Sequence, residues 1–230
     1  KADLVTVGEA WGADTELAKL YSNPDNSELS MVFQFEHICL DQEAGKEKWD
    51  LAPLPFLKLK EVFERWQTQL YGKGWNSLFW NNHDLPRIVS RWGNDGKYRV
   101  ESAKMLAILL HGLQGTPYIY QGEELGMTNV PFQSLDDFRD IESINAYHEY
   151  TQSGQIAPED MMRYLHYKSR DNARTPMQWN NTANAGFTTG TPWIMVNPNY
   201  PKINAKEQVE RPDSIFHYYQ KLIKLRKAHE

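Results

Sequence analysis

The chain contains a single cysteine, Cys39, among its 230 residues. One thiol cannot form a disulfide within the chain, and scarcity of cysteine is typical of proteins from a reducing compartment. We therefore expect a cytoplasmic protein in which Cys39, within the apolar run FEHICL, is a buried thiol. The sequence also lacks any run of about 18 apolar residues, so no membrane-spanning helix is expected.

Motifs for metals, phosphates and dinucleotides are missing as well. There is no H-E-x-x-H and no pair of cysteines, and the histidines are scattered, so the sequence predicts no metal site. There is no phosphate loop, no G-x-G-x-x-G and no G-x-S-x-G, so no cofactor is expected. The net charge of -5 argues against nucleic acid as a partner, because phosphate binding needs clustered lysine and arginine.

Strand-like and helix-like runs alternate along the chain. We predict strands over residues 4–12, 29–37, 75–80 and 116–126, with helices between them and at the C-terminus. This alternation predicts an α/β fold with parallel strands. Four such units are too few for a closed eight-stranded barrel, which leaves an open doubly wound sheet or half of a barrel. Residues 127–212 are predicted to form a long irregular insertion, with one short helix near residues 158–166.

Polar residues end the predicted strands, most clearly Glu9 after the first and His83-Asp84 after the third. The carboxyl ends of parallel strands meet at one edge, where α/β folds keep their chemistry. Glu9 and Asp84 are therefore expected to face each other across a pocket, and paired carboxylates are what glycoside hydrolysis requires. From the residues alone, Glu9 could instead be a salt-bridged strand end, and His83-Asp84 a structural pair. Glu123 and Glu124 are expected to cap or bridge.

Several longer motifs carry a family resemblance. VGEAWG, WNNHD and TPYIYQGEELGM stand in the order and spacing of the catalytic motifs of the alpha-amylase family of glycoside hydrolases. They are similar to its fifth, seventh and eighth barrel strands. RDNARTPMQW, NAGF and VNPNY resemble the oligo-1,6-glucosidase subgroup, and GEAWG followed by ELSMVFQFEH is most similar to its dextran-active members. The resemblance implies an exo-acting, retaining α-glucosidase that cleaves α-1,6 bonds of isomalto-oligosaccharides or dextran.

The resemblance also implies roles for individual residues. Glu9 matches the family's general acid/base, and Asp84 matches the third carboxylate, which binds sugar hydroxyls and stabilises the transition state. His83 matches a hydrogen-bond donor to the same sugar ring, and Trp11 an aromatic residue on the leaving-group side. Residues Asn81 to Asp84 are then expected to line the sugar-binding end of a barrel strand whose stem is buried.

Four further residues are implied to bind the substrate. Arg170 matches the arginine that grips the terminal glucose, with Arg174 as the alternative. A planar guanidinium suits this role because its fixed donors can reach two sugar oxygens at once. Lys48 and Glu142 fall near positions that dextran-active members use for the second glucose.

Other parts of the family pattern are missing from these 230 residues. The nucleophilic aspartate of the strand-four motif D-x-x-R-x-D, the strand-three histidine motif and the calcium loop are not found. We therefore expect residues 1–230 to be the C-terminal half of a TIM (β/α)8 barrel, strands five to eight, without the N-terminal half-barrel and the C-terminal β-domain. The isolated chain is expected to be inactive, and its exposed sheet edges to favour self-association.

Alternatives from the same subgroup are trehalose-6-phosphate hydrolase and isomaltulose synthase. Ala10-Trp11-Gly12 after the acid disfavours a phosphorylated substrate. An alternative of another class is a non-catalytic amylase-like module. Such modules lose their catalytic carboxylates, whereas Glu9, His83 and Asp84 are all present here. A small α/β binding protein of some unrelated kind is the remaining alternative.

Overall fold

Four short strands form one parallel sheet in the computed structural model, which describes residues 4–25, 28–43 and 48–229. The strands are β1 (Val7–Glu9), β2 (Met31–Phe33), β3 (Asn76–Leu78) and β4 (Thr116–Pro117), and they lie in the order β1-β2-β3-β4. Every neighbouring pair is parallel. Parallel neighbours require crossover connections, and helices lie between all of these strands in the chain. The predicted α/β class with a parallel sheet is confirmed.

The helices within the described ranges vary from one turn to four. Their bounds are α1 (Thr15–Ser22), α2 (Phe56–Leu70), α3 (Ile88–Trp92), α4 (Arg99–His111), α5 (Ile141–Gln152), α6 (Pro158–Lys168), α7 (Asp171–Arg174), α8 (Ala205–Glu210) and α9 (Ile215–Ala228). No helix in the described part of the chain has the length and hydrophobicity needed to cross a bilayer.

The strands are shorter than the sequence predicts. In β4 only Thr116 and Pro117 pair as a strand, and one further backbone bond joins Tyr118 N to Leu78 O at 2.7 Å. Pro117 has no N–H to give to a ladder. The chain then turns through Gly122 (φ 88°), a left-handed conformation that favours glycine. The prediction of a strand through residue 126 is therefore wrong beyond its first residues.

The chain divides into two compact units. The first unit consists of Lys1–Trp80 and Leu110–Tyr118, and it contains the whole sheet. Helices α1 and α2 pack against β2 through an apolar cluster that includes Ala18, Val32 and Trp66. The apolar periodicity of α2 predicts this face well, except that Leu57, in its first turn, is exposed rather than buried.

The second unit consists of Asn81–Leu109 and Ile119–Glu230. One apolar cluster joins α4 to α9, with Ala107 and Ile215 completely buried. Ser214 caps α9, because its side chain accepts a hydrogen bond from His217 N. This unit carries most of the polar network described below.

Residues 127–212 are more helical than the sequence predicts. The short helix expected near 158–166 is present as α6, but the twelve-residue helix α5 was not predicted. Only Ser143 and Ala146 of α5 are buried, and Ile141 in its first turn is exposed, so its larger apolar residues do not form a buried face. Its N-terminus is instead fixed by Asp140, whose side chain accepts a hydrogen bond from Ser143 N.

Cys39 also differs from its prediction. It lies in a short 3-10 helix, His37–Cys39, that follows β2, and its side chain is only partly buried. The apolar run FEHICL indicated a core position, but in the 3-10 helix it is His37 and Ile38 that are buried.

Candidate active site

The polar residues after β3 differ in where their side chains lie: Asn81 is buried, whereas the His83 and Asp84 side chains are partly exposed. Asn81 Nδ2 donates to Glu123 Oε2 at 2.5 Å, and its Oδ1 accepts from Ile88 N at 2.7 Å. Asn82 Oδ1 accepts from Asp84 N at 2.8 Å, which turns the chain. The expectation that all four polar side chains line a ligand site is therefore wrong for Asn81, which is a structural residue.

Asp84 lies at the centre of an ion-pair network within the second unit. Arg174 Nη2 donates to Asp84 Oδ1 at 2.6 Å, and Arg174 Nε donates to the His83 carbonyl at 2.8 Å. Arg170 Nη1 lies 3.6 Å from the same Oδ1, and His83 Nε2 lies 3.4 Å from Oδ2. Because Oδ1 is engaged by guanidinium groups, Oδ2 keeps lone pairs that can accept a ligand hydroxyl.

Two further carboxylates complete the network. Glu142 Oε2 lies 2.8 Å from Arg170 Nε, a contact of charge in which the N–H does not point at the oxygen. Asp140 Oδ1 lies 3.6 Å from Arg174 Nη1, and its side chain is nearly fully buried. Asp140 begins α5 and Glu142 lies in its first turn, so this missed helix supplies both groups.

A side-chain carboxylate at the start of α7 accepts hydrogen bonds from the backbone just before α5. Asp171 Oδ2 accepts hydrogen bonds from Arg139 N at 2.6 Å and from Asp140 N at 2.9 Å. Asp171 is completely buried and begins α7, which Arg170 precedes and Arg174 ends. The acidic and basic side chains around Asp84 are therefore set by elements that a buried carboxylate holds together.

The network is open to solvent on one side. The Asp84 side chain is 42% exposed and the His83 side chain 64%, whereas the two arginines are about one-third and one-quarter exposed. Carboxylate, imidazole and guanidinium groups together can both accept from and donate to vicinal hydroxyls. In the residues that the structure describes, no group of three His, Cys, Asp or Glu side chains could hold a metal ion.

The second unit also contains a buried glutamate, Glu123, and a buried arginine, Arg87. Glu123 is 5% exposed, and burial raises its pKa to about 7, while hydrogen bonds from Tyr219 and Asn81 act in the opposite direction. Arg87 is 1% exposed, and burial lowers its pKa to about 10, so it remains protonated at neutral pH. Burial also raises the pKa of Glu124, whose Oε2 accepts from Gly122 N at 2.9 Å.

Glu9 and Trp11 lie in the first unit. Glu9 is exposed as the last residue of β1, in register with Phe33 of β2, and Ala10 N donates to the Phe33 carbonyl at 3.0 Å. Trp11 stacks on Phe35 with ring centroids 4.1 Å apart, and it is still 66% exposed. One face of the indole is therefore fixed by packing while much of the ring remains available to a ligand.

Lys48 is also part of the first unit. Its ammonium lies 4.5 Å from the ring centroid of its neighbour Trp49, which is buried. The contact is a cation–π interaction.

The structure thus brings together His83, Asp84, Glu142, Arg170 and Arg174, although the first and last of them are 91 positions apart in the sequence. Sequence reasoning missed Asp140, Arg87 and the burial of Glu123. A capping signal was available for Asp140, since Asp-x-x-Ser at residues 140–143 is typical of a helix N-terminus. Nothing local distinguishes Arg87 from a surface arginine.

Comparison with known proteins agrees with these motifs. The alpha amylase, catalytic domain family matches residues 1–230. An oligo-1,6-glucosidase of Parageobacillus thermoglucosidasius is 59% identical over 230 residues, which are 100% of this chain and 41% of that protein. A glucan 1,6-alpha-glucosidase of Streptococcus pneumoniae serotype 4 is 60% identical over 227 residues, covering 98% of this chain and 42% of that protein.

A solved structure has a very similar fold. The trehalose-6-phosphate hydrolase of Bacillus licheniformis superposes with a TM-score of 0.92 at 55% identity, over 97% of this chain and 40% of that one. The chain therefore spans about two-fifths of the length of the relatives it matches. A family match that extends over the whole chain, joined to relatives of this similarity, shows that the chain belongs to the alpha-amylase family of glycoside hydrolases.

Proposed function

We propose that the chain supplies strands five to eight of the catalytic (β/α)8 barrel of an exo-acting, retaining α-glucosidase that hydrolyses α-1,6 bonds of isomalto-oligosaccharides. The observation that carries the proposal is the half-exposed Asp84 carboxylate, held by Arg174 and Arg170 within motifs of the family. Relatives named as 1,6-glucosidases, 59% and 60% identical, support the linkage. Coverage of about 40% of each supports a partial barrel.

In this proposal Asp84 binds the terminal glucose and stabilises its positive charge. The oxocarbenium-like transition state places positive charge near the anomeric carbon, so an anionic carboxylate favours it. Arg174 occupies Oδ1 and keeps the side chain in one orientation, so that Oδ2 faces the sugar. His83, 3.4 Å from Oδ2, donates to a hydroxyl of the same ring.

Glu9 performs the proton transfers. In the first step it protonates the glycosidic oxygen while an aspartate outside these 230 residues attacks the anomeric carbon. In the second step the Glu9 carboxylate takes a proton from water, which hydrolyses the glycosyl-enzyme and restores the acid. Net retention follows because two displacements occur at the same carbon. No metal or cofactor takes part in either step.

The remaining predicted residues define the leaving-group side. The exposed ring of Trp11, fixed on Phe35, offers an apolar face to the second glucose. Glu142 and Lys48 are proposed to accept from and donate to its hydroxyls. Arg170 links the two sides, since it contacts both Asp84 and Glu142.

The test is a substrate panel with the full-length protein. Isomaltose, isomaltotriose, maltose, sucrose and trehalose-6-phosphate are supplied separately, and glucose release and its anomeric form are followed by proton NMR. We expect turnover of isomaltose and isomaltotriose with α-glucose formed first. Glu9→Gln should lower the rate about 10²- to 10⁴-fold, whereas Glu16→Gln, an exposed glutamate in α1, should not.

Other outcomes identify the alternatives. Hydrolysis of trehalose-6-phosphate without hydrolysis of isomaltose would assign the chain to the phosphorylated substrate, and formation of isomaltulose from sucrose would assign it to isomerisation. Binding of isomaltotriose without any turnover would make it a non-catalytic amylase-like module. Each of these results contradicts the proposed 1,6-glucosidase.

A further inference from the structure

Arg87 is a buried arginine whose hydrogen bonds go to the main chain. It follows Asp84 by three residues and is 1% exposed. Its Nη1 donates to Gln121 O at 2.6 Å, its Nε to Asn172 O at 3.2 Å and its Nη2 to Ala173 O at 3.4 Å. One guanidinium therefore joins three carbonyls from two separate segments, a task for which its planar fork of donors is suited.

Two of these carbonyls belong to α7, the four-residue helix Asp171–Arg174. The last carbonyls of a helix have no partner within it and need one from elsewhere. A cation there also interacts favourably with the C-terminal end of the helix. Arg87 supplies both the donors and the charge at this end of α7.

The ends of α7 carry the guanidinium groups that hold Asp84. Arg170 precedes the helix and Arg174 ends it, and both approach Asp84 Oδ1. The Arg87 main chain is fixed at the same time, because its N–H donates to Asn129 Oδ1 at 2.9 Å. Arg87 thus anchors the segment that bears Asp84 and the helix that bears its two partners.

We propose that Arg87 is a positioning residue, which sets Arg170 and Arg174 against Asp84 by holding the Asn172 and Ala173 carbonyls. The inference rests on the proposed function for its kinetic consequence, but its geometric content is independent of that function. Arg87 touches no substrate in this scheme. It acts only through the orientation of α7, and the Asp84 carboxylate depends on that orientation for its two cationic partners.

Tyr120 also donates a hydrogen bond to the Ala173 carbonyl, so a substitution there perturbs α7 less than one at Arg87 does. Its hydroxyl donates to Ala173 O at 3.0 Å, and the Arg87 Cζ atom lies 5.4 Å from the centroid of its ring. Tyr120→Phe removes one hydrogen bond to α7 and leaves the ring beside Arg87. The substitution should therefore shift α7 while the Arg87 side chain stays in place.

The test compares Arg87→Met, Arg87→Lys and Tyr120→Phe in the full-length protein. We expect Arg87→Met to lower kcat/KM for isomaltose roughly 10²-fold, because small displacements of binding groups carry penalties of that size. Arg87→Lys should recover part of the loss. In an Arg174→Met background the effect of Arg87→Met should be clearly smaller than in wild type, since one of the two arginines that Arg87 positions is already absent. Tyr120→Phe should give a smaller loss with the same dependence.

A control and a structural measurement separate positioning from general destabilisation. Leu222→Ala opens a cavity in the α9 core and should leave kcat/KM per folded molecule unchanged. Crystal structures of Arg87→Lys and Tyr120→Phe should show the Arg174 Nη2 to Asp84 Oδ1 distance increased from 2.6 Å.

Wild-type geometry around Asp84 in these variants, or equal effects of Arg87→Met with and without Arg174, would overturn the proposal. If Arg87→Met does not fold, the lysine and Tyr120 variants decide the question by the same criteria. If the wild-type protein does not cleave isomaltose, the proposed function fails, and the crystallographic distance alone decides whether Arg87 positions Arg174.

Discussion

Replacing Glu123 by glutamine should remove a pH dependence from the stability of the second unit. Glu123 Oε2 accepts from Asn81 Nδ2 and Oε1 accepts from the Tyr219 hydroxyl at 2.7 Å. Glutamine has the same shape and can accept from Asn81, while its amide donates to a rotated Tyr219 hydroxyl. The variant therefore keeps the hydrogen bonds of the protonated acid but cannot ionise.

The size of the effect follows from the pKa of Glu123, which burial raises from 4.5 to about 7. Between these values the unfolded chain has lost the proton and the folded protein still holds it. The unfolded state thus binds fewer protons, so the free energy of unfolding falls as the pH rises through this window. At about 1.4 kcal/mol for each pH unit, wild type loses about 3 kcal/mol that Glu123→Gln retains.

The assay is urea unfolding of wild type and variant at several pH values between about 5 and 8. The difference in free energy of unfolding should grow in favour of Glu123→Gln, from about 1 kcal/mol at about pH 5 to about 3 kcal/mol at about pH 8. Glu149→Gln, which removes an exposed carboxylate from α5, is the matched control and should show no such growth. A difference between Glu123→Gln and wild type that stays constant over this range would refute the reasoning.

Three other outcomes are expected. Gly122→Ala should destabilise by about 2–3 kcal/mol, because φ is 88° and an added Cβ would meet Met127 Sδ, whereas Gly154→Ala, with φ 71° and open space, should lose only about 1 kcal/mol in the same chemical unfolding assay. Asp84→Asn in the full-length protein should lower kcat for isomaltose about 10²- to 10³-fold, and Asp160→Asn, which breaks an exposed arginine pair, should leave steady-state kinetics unchanged; equal effects would contradict a catalytic role. The purified 230-residue chain should not hydrolyse a chromogenic α-glucoside, because the proposed nucleophile lies outside it, and robust turnover would disprove that assignment.

Local signals explain which elements could be predicted. Helices α2 and α9 show a repeating apolar face, and Asp14 caps α1 as its sequence suggests, accepting from Leu17 N at 2.9 Å. Helix α5 was not predicted from the sequence. It is stabilised by the Asp140 cap and by packing on α6, and only two of its residues are buried. Strand lengths were overestimated because β-propensity indicates which run of residues suits a sheet. It does not indicate which of those residues pair with a neighbouring strand.

The candidate site shows the same division. The family resemblance predicts that His83, Asp84, Arg170 and Arg174 bind the substrate, and the structure places their side chains close together. The resemblance did not indicate that Arg174, rather than Arg170, makes the direct hydrogen bond to Asp84. That choice depends on where a four-residue helix ends, and neighbouring arginines look alike in the sequence.

The sequence by itself determined the α/β class, the order of the four strands and the family, because these depend on local periodicity and on contiguous motifs. Only the tertiary structure decided that Asn81 faces inward, that Glu123 is buried enough to hold a proton near neutral pH, and that Arg87 bonds the carbonyls of α7. Hydrogen-bond partners of this kind lie 42 to 96 positions apart in the sequence. Such contacts exist only once the chain has folded, so no local pattern can encode them.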